Sequence, residues 1–197
     1  RVLRVIIRPL VYLLFPYRFV NREKIPTTGP FVLCANHISY LDPVWLGLAV
    51  ENRQIFYMAK EELFRNRIFG AIISKLGAFP VQRDGKAGTA MQIGQDVLMR
   101  GDIMGIFPEG TRSRTGKLGR AKAGAAIIAA RAKADILPVA IVVPKGRVRP
   151  FRKVTVVFGD LVSYQSLGVS DEMGLKEYRM AGEKLMEPIA KMIEEYQ

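Results

Sequence analysis

The chain has 197 residues, enough for one domain with a substantial core, and no shift in composition along it argues for two. Its 30 Lys and Arg outnumber 18 Asp and Glu, a formal net charge of +12, so it expects anionic partners: a membrane surface, phosphorylated ligands or nucleic acid. A lone cysteine, Cys34, excludes an internal disulfide and fits a reducing compartment.

Residues 1 to 20 are the most apolar stretch. Arg1, Arg4 and Arg8 fall on one side at helical spacing, and Val2, Leu3, Val5, Ile6, Ile7, Leu10, Val11, Leu13 and Leu14 cover the rest. The pattern predicts a basic amphipathic helix in a membrane interface. The uncharged run from Pro9 to Tyr17 is far short of the roughly 20 residues that span a bilayer, so the helix is expected to lie on the membrane rather than cross it. Residues 1–24 are read as this helix and its linker, and 25–197 as the main domain.

Phe31 to Ala35 is a short apolar run between Gly29-Pro30 and Asn36, a buried strand by pattern. Cys34 inside it reads as a structural thiol. Asn36-His37-Ile38-Ser39-Tyr40-Leu41-Asp42 follows, holding the chain's one histidine. Asp42-Pro43 has the form of a helix start, with Asp as cap and Pro at the first helical position. On a continuous helix, residues five apart diverge by about 140°. His37 and Asp42 therefore meet only if the loop folds back on the helix start. One Asp42 oxygen would then accept from a helix N–H and the other from the imidazole, leaving the second ring nitrogen a free base. Alone, Asp42 equally fits a simple cap and His37 a polar residue at a strand end.

Gln54 to Ala59 reads as a second strand. Lys60 to Lys75 reads as one helix, with apolar positions at Leu63, Phe64, Ile68, Phe69, Ile72 and Ile73, ended by Gly77. Phe79 and Val81 make a short strand ahead of Arg83, and Lys86 to Arg100 an amphipathic helix with Ala90, Met91, Ile93, Val97 and Leu98 inward. The strand Ile103 to Phe107 leads into Phe107-Pro108-Glu109-Gly110-Thr111-Arg112-Ser113. A carboxylate, a glycine and a guanidinium thus stand just past a strand's carboxyl end, where open α/β sheets bind ligands. The planar fork of Arg112 suits a phosphate. Arg114, Lys117, Arg120 and Lys122 extend this loop without an acidic residue, which fits phosphates or an ordinary solvated face. Gly110 to Lys117 mimics a nucleotide-binding P-loop, but its glycine spacing is wrong and Leu118 stands where a hydroxyl residue is needed.

Ala121 to Ala134 is an alanine-rich helix with Lys122 at its start, facing the basic loop. Ile136 to Val143 is a β-branched strand whose Pro138 predicts an edge or a bulge. A basic stretch from Lys145 to Lys153, a strand from Val154 to Phe158 and a closing helix from Leu175 to Tyr196 complete the chain. Alternating strands and helices predict a single α/β domain, a mixed, largely parallel sheet flanked by helices.

Together, the His37–Asp42 and Phe107–Ser113 motifs resemble the glycerophospholipid acyltransferase family, most closely its bacterial 1-acylglycerol-3-phosphate acyltransferases. Gly77-Ala78-Phe79-Pro80-Val81-Gln82-Arg83 resembles the family's second block, and Lys122-Ala123-Gly124 and Leu137-Pro138-Val139 resemble two further ones, all in family order. The resemblance implies transfer of a fatty acyl group from acyl-CoA or acyl carrier protein to the sn-2 hydroxyl of a lysophospholipid, yielding phosphatidic acid without cofactor, metal or covalent intermediate. It makes His37 the general base and Asp42 its orienting partner. Arg112 and Arg83 become the anchors of the acceptor phosphate, and Gly110, Thr111 and Lys122 further substrate-binding positions. Glu109 is expected to orient Arg112 or an acceptor hydroxyl, and backbone N–H groups near Gly110 or Gly124 are the candidate oxyanion donors. The implied location is the cytoplasmic face of the cell membrane, peripheral or monotopic, against an anionic surface. A hydrolase using the same pair, a transferase for glycerol 3-phosphate or another lysolipid, and a non-catalytic module for anionic phospholipid are the competing readings. Nucleic-acid binding is not expected, because the basic stretches lack interleaved aromatics.

Overall fold

No side chain in Phe31–Ala35 is charged and all five residues are buried, the mark of a strand covered on both faces. The structure, a computed structural model, describes residues 2–81, 87–169 and 174–197. Its strands are β1 (Tyr17–Val20), β2 (Phe31–Ala35), β3 (Ile55–Lys60), β4 (Ala78–Val81), β5 (Ile103–Ile106), β6 (Ile136–Val142) and β7 (Val154–Phe158). Its helices are α1 (Val2–Leu14), α2 (Asp42–Ala49), α3 (Arg67–Lys75), α4 (Ala87–Met99), α5 (Gly124–Ala132) and α6 (Leu175–Tyr196).

The strands form one sheet in the order β1-β7-β6-β2-β5-β3-β4, with β2 in the middle. Strands β6, β2, β5, β3 and β4 run parallel; β7 is antiparallel to β6, and β1 follows β7 in direction. This is the mixed, largely parallel α/β sheet that the alternation of elements predicts. Because side chains alternate across a strand, β2 supplies two cores. Val32 and Cys34 pack with residues of α4, α5 and α6. Phe31, Leu33 and Ala35 pack with α2, with Val11 and Phe15 at the end of α1 against the same cluster. Each fully buried Leu, Ile or Phe contributes about 1.5–3 kcal/mol relative to exposure. The alanines of α5, buried at 125, 126, 129 and 130, let that helix approach the sheet closely.

Several expectations need correction. The N-terminal helix stops at Leu14, and Tyr17–Val20 is an edge strand paired with β7. The helix expected over 60–75 is broken into a 3-10 turn at Glu61–Phe64 and α3. Asn66 causes the break, since its side-chain oxygen caps Ile68 and Phe69 N–H at 3.1 and 3.0 Å. Ile68, Phe69 and Ile72, apolar positions of that helix, are 77%, 40% and 47% exposed. Pro138 sits on an interior strand, but a bulge does accommodate it: Ile136 to Val139 on β6 oppose Val162 to Phe158, one residue longer. The helix expected from Ala121 begins only at Gly124. Arg1 and Lys86 lie outside the described residues.

Candidate active site

The loops that carry His37 and Arg112 leave the same end of the sheet. β2 delivers His37 and the neighbouring β5 delivers Phe107 to Arg112. Asn36 marks the exit: its side chain takes the place of a strand backbone, donating to Ile141 O at 3.0 Å and accepting from Ile141 N–H at 2.7 Å. The pairing with β6 is satisfied while the main chain turns away, and His37 is carried out onto the rim.

The loop does fold back. His37 Nδ1 lies 2.7 Å from Asp42 Oδ2, although the residues are five apart. Asp42 is the first residue of α2, with Pro43 behind it, and its side chain does not cap the helix. Instead Oδ2 also accepts the Ile38 and Ser39 N–H groups at 2.7 and 2.9 Å. One oxygen therefore serves loop and imidazole together, where a division between two was expected. Asp42 is fully buried and the His37 side chain 17% exposed, so the pair has a sealed end and an open end. Burial raises the Asp42 carboxyl above the usual range, and the hydrogen bonds from His37, Ser39 and Ile38 oppose that rise. With Nδ1 on the carboxylate, Nε2 is the nitrogen left for a substrate.

The second motif is tied to this histidine's backbone. His37 N–H donates to Glu109 Oε1 at 2.8 Å, and Ser113 N–H donates to His37 O at 2.7 Å. Glu109, expected on Arg112 or a hydroxyl, directs its other oxygen to Gly119 N–H at 2.9 Å. Burial raises its carboxyl, and those two backbone N–H groups work against the rise. The Phe107 ring stacks on the imidazole at 4.0 Å between centroids, and Tyr57 lies on Phe107 at 6.0 Å. Gly105 makes room for Tyr57, because a Cβ there would stand 2.2 Å from that ring.

Arg112 is exposed, and its Cζ stands over the Tyr40 ring, 3.4 Å from the centroid. Stacking engages the face of the guanidinium and leaves its N–H groups pointing outward in the plane, available to an anion. The Lys122 amine passes over Gly110, where an added Cβ would meet Nζ at 2.9 Å, and Lys122 N–H holds Pro108 O at 2.8 Å. Thr111 is exposed beside Arg112. Gly110 N–H, expected among the oxyanion donors, is already occupied: it donates to Phe107 O at 2.9 Å. Arg83 lies outside the described residues. Sequence reasoning missed the roles of Tyr40 and Phe107; an aromatic inside each motif, two residues before its carboxylate, was the available signal. Among the described residues no three His, Cys, Asp or Glu side chains converge as a metal site would need. Of two surface hollows, one of about 390 Å³ lies between residues 22–27 and 49–53, and one of about 470 Å³ between Arg8, Pro9 and Tyr12 and residues 17–19. Neither is lined by His37 or Arg112.

An imidazole held by a buried carboxylate beside a cationic loop, at the carboxyl end of a largely parallel sheet, is an arrangement suited to general-base chemistry next to an anion. Residues 17–142 match the Acyltransferase family, and the chain belongs to that family. It is 37% identical over 133 residues to the 1-acyl-sn-glycerol-3-phosphate acyltransferase of Bacillus subtilis (strain 168), covering 68% of this chain and 66% of that one. It is 35% identical over 161 residues to the enzyme of the same name from Streptococcus pneumoniae, covering 79% and 59%. The chain thus spans about three fifths to two thirds of these relatives' length. The crystal structure of the 1-acyl-sn-glycerophosphate (LPA) acyltransferase PlsC from Thermotoga maritima superposes with a TM-score of 0.71 at 27% identity, over 96% of this chain and 76% of that one.

Proposed function

We propose that this chain transfers a fatty acyl group from a thioester, acyl-CoA or acyl carrier protein, to the sn-2 hydroxyl of 1-acylglycerol-3-phosphate, giving phosphatidic acid. The observation that carries the reading is the His37 geometry. Its Nδ1 is fixed at 2.7 Å by a buried carboxylate while the ring stays partly exposed at the rim that also carries the exposed Arg112 guanidinium. The relatives' names supply the acceptor.

In this reading, His37 Nε2 takes the proton of the acceptor hydroxyl as its oxygen forms a bond to the thioester carbonyl carbon. The carbon–sulfur bond then breaks, and the departing thiolate recovers that proton from the imidazolium. Asp42 stabilises the imidazolium between the two transfers and keeps Nε2 aimed outward. Arg112 and Lys122, with Arg83 as a second guanidinium, bind the acceptor phosphate. Such positioning contributes as much as about 7–11 kcal/mol toward a barrier. Glu109 acts through His37, by fixing its backbone.

The acceptor is a lipid, and α1 leaves Leu10, Tyr12 and Leu13 more than half exposed. We read α1 as an interfacial helix at the cytoplasmic face of the cell membrane. Among the described residues no helix is long and apolar enough to cross one.

The test is thiol release from acyl-CoA with and without lysophosphatidic acid. Acceptor-dependent release is expected, falling by about 10²–10⁴ in His37→Ala with the fold intact. Equal release without acceptor would make the enzyme a hydrolase, and near-wild-type turnover in the variant would remove His37 from the chemistry.

A further inference from the structure

We propose that the protein docks on an anionic lipid leaflet with the rim of its sheet, through two apolar elements set in basic surroundings on either side of the His37 site. The first is the loop of residues 143–153 joined to the end of α1; the second is α3. This extends the membrane reading beyond the N-terminal helix, and it rests on the acceptor being a bilayer lipid.

Topology puts the first element at the rim. Because β7 and β1 run against β6, their starting ends lie where β6, β2 and β5 finish. The 143–153 loop and the last turn of α1 therefore come to the His37 end of the sheet. Two hydrogen bonds fasten them together: Phe151 N–H to Leu14 O and Val154 N–H to Pro16 O, both 2.7 Å. Phe151 has φ +62°, a left-handed conformation that bulky side chains avoid, and is 72% exposed. An aromatic held outward at such a cost needs an apolar occupant. Leu10, Leu13 and Leu14 stand beside that junction, 57%, 67% and 40% exposed. Lys145, Arg147, Arg149, Arg152 and Lys153 surround it, all exposed, with no carboxylate in the loop. The backbones of Gly116 and Gly146 touch, a Cβ on Gly116 falling 2.2 Å from Gly146 O. That contact adds the exposed Arg114, Lys117 and Arg120 to the same cationic surface.

The second element begins one short turn beyond the carboxyl end of β3, so its first residues are also at the rim. A right-handed crossover from β3 to β4, the hand parallel strands nearly always take, lays α3 on the α2 side of the sheet. That is the side on which Val11 and Phe15 of the α1 end pack. Ile68, Phe69 and Ile72 face outward, with Arg65, Arg67 and Lys75 exposed around them and no acidic residue from 65 to 81. Strands lie about 4.8 Å apart, which places the central β2, and so His37, about 15 Å from either edge of the sheet.

An acidic carrier protein would match the cations but leave Phe151, Leu13 and Ile68 in water. A leaflet of anionic lipid satisfies both, with apolar side chains below the headgroups and Lys and Arg among them. The acceptor's hydroxyl would then reach His37 without leaving the bilayer.

Phe151→Asp, Ile68→Glu and their combination in the full chain test this by sedimentation with phosphatidylcholine vesicles, with and without phosphatidylglycerol. Turnover is measured in parallel on vesicle-borne lysophosphatidic acid and on a hexanoyl acceptor dissolved as monomers. The wild type should partition at least tenfold more to the anionic vesicles and lose that preference at high salt. Each single variant should bind several-fold less and the pair more than tenfold less. Vesicle turnover should fall in step while turnover of the soluble acceptor stays within twofold. Unchanged partitioning of the double variant would overturn the proposal. So would variants that bind vesicles normally yet lose affinity for acyl carrier protein. A wild type that turns over neither acceptor, while its variants still lose vesicle binding, would overturn the catalytic reading and uphold the docking surface.

Discussion

Tyr40 and Arg112 show how a single aromatic ring sets up a charge. A long arginine on an exposed loop samples many rotamers and loses that freedom when it grips a phosphate. Lying on Tyr40, it has surrendered part of that freedom beforehand. Exposed cation–π contacts contribute about 0.5–1 kcal/mol, about two- to fivefold in affinity. Tyr40→Leu should therefore raise the acceptor KM about two- to fivefold with kcat little changed, and Tyr40→Phe should restore it. A loss of kcat shared by both variants would show that the hydroxyl, not the ring face, matters. At this scale the sequence was informative about identity and less so about geometry. His37, Asp42 and Arg112 were legible because few residue types do their chemistry. That one oxygen of Asp42 would bind both loop and ring was not legible, since two loop N–H groups decide it. Likewise Glu109 reads as a substrate ligand in the sequence, and only the folded loops bring His37 and Gly119 N–H to it.

Elements were read well where the core dictates them and poorly at the margins. β2 carries an uninterrupted apolar run and β7 one broken only by Thr155, and both fall where the pattern puts them. β1 escaped notice because it continues the apolar character of α1, and only its distant partner, β7, reveals it. The apolar stripe of α3 has helical periodicity, but periodicity does not say whether a stripe meets protein or something else. Loop elements obey a comparable logic at two glycines with left-handed backbones. A Cβ on Gly116 would strike the Gly146 backbone at 2.2 Å, whereas one on Gly110 would meet the flexible end of Lys122 at 2.9 Å. Gly116→Ala should cost about 1–3 kcal/mol, read as a lowered urea midpoint. Gly110→Ala should cost less in stability and show itself in the acceptor KM, through a displaced Lys122. Equal urea midpoints would mean that the two loops part without strain.

For the whole molecule, the two buried carboxylates give stability a definite slope with pH. Burial raises Asp42 and Glu109 above ordinary carboxyl values, so folding favours their protonated forms. Their contribution is fully present below the unfolded values, near 4, and is lost as pH rises through the raised folded values. Glu109→Gln stays neutral and lacks its share of that loss. Its stability relative to wild type should therefore climb with pH above about 4.5 and level off, which urea titrations at several pH values would measure. A constant difference across that range would show that the two backbone N–H groups balance burial, and a difference that falls as pH rises would show that they outweigh it.

The pairing of β1 with β7 also bears on how the chain is made. Tyr17 aligns with Val154, so the ribosome must add 137 further residues before the first strand finds its neighbour. At about 5–20 residues per second, that delay is on the order of ten seconds. Throughout it the oily leading helix has no sheet edge to rest on, and a nearby bilayer is the natural place for it to wait. Synthesis beside lipid would then fold the domain already in position, with closure of that edge and docking of α6 as its last steps.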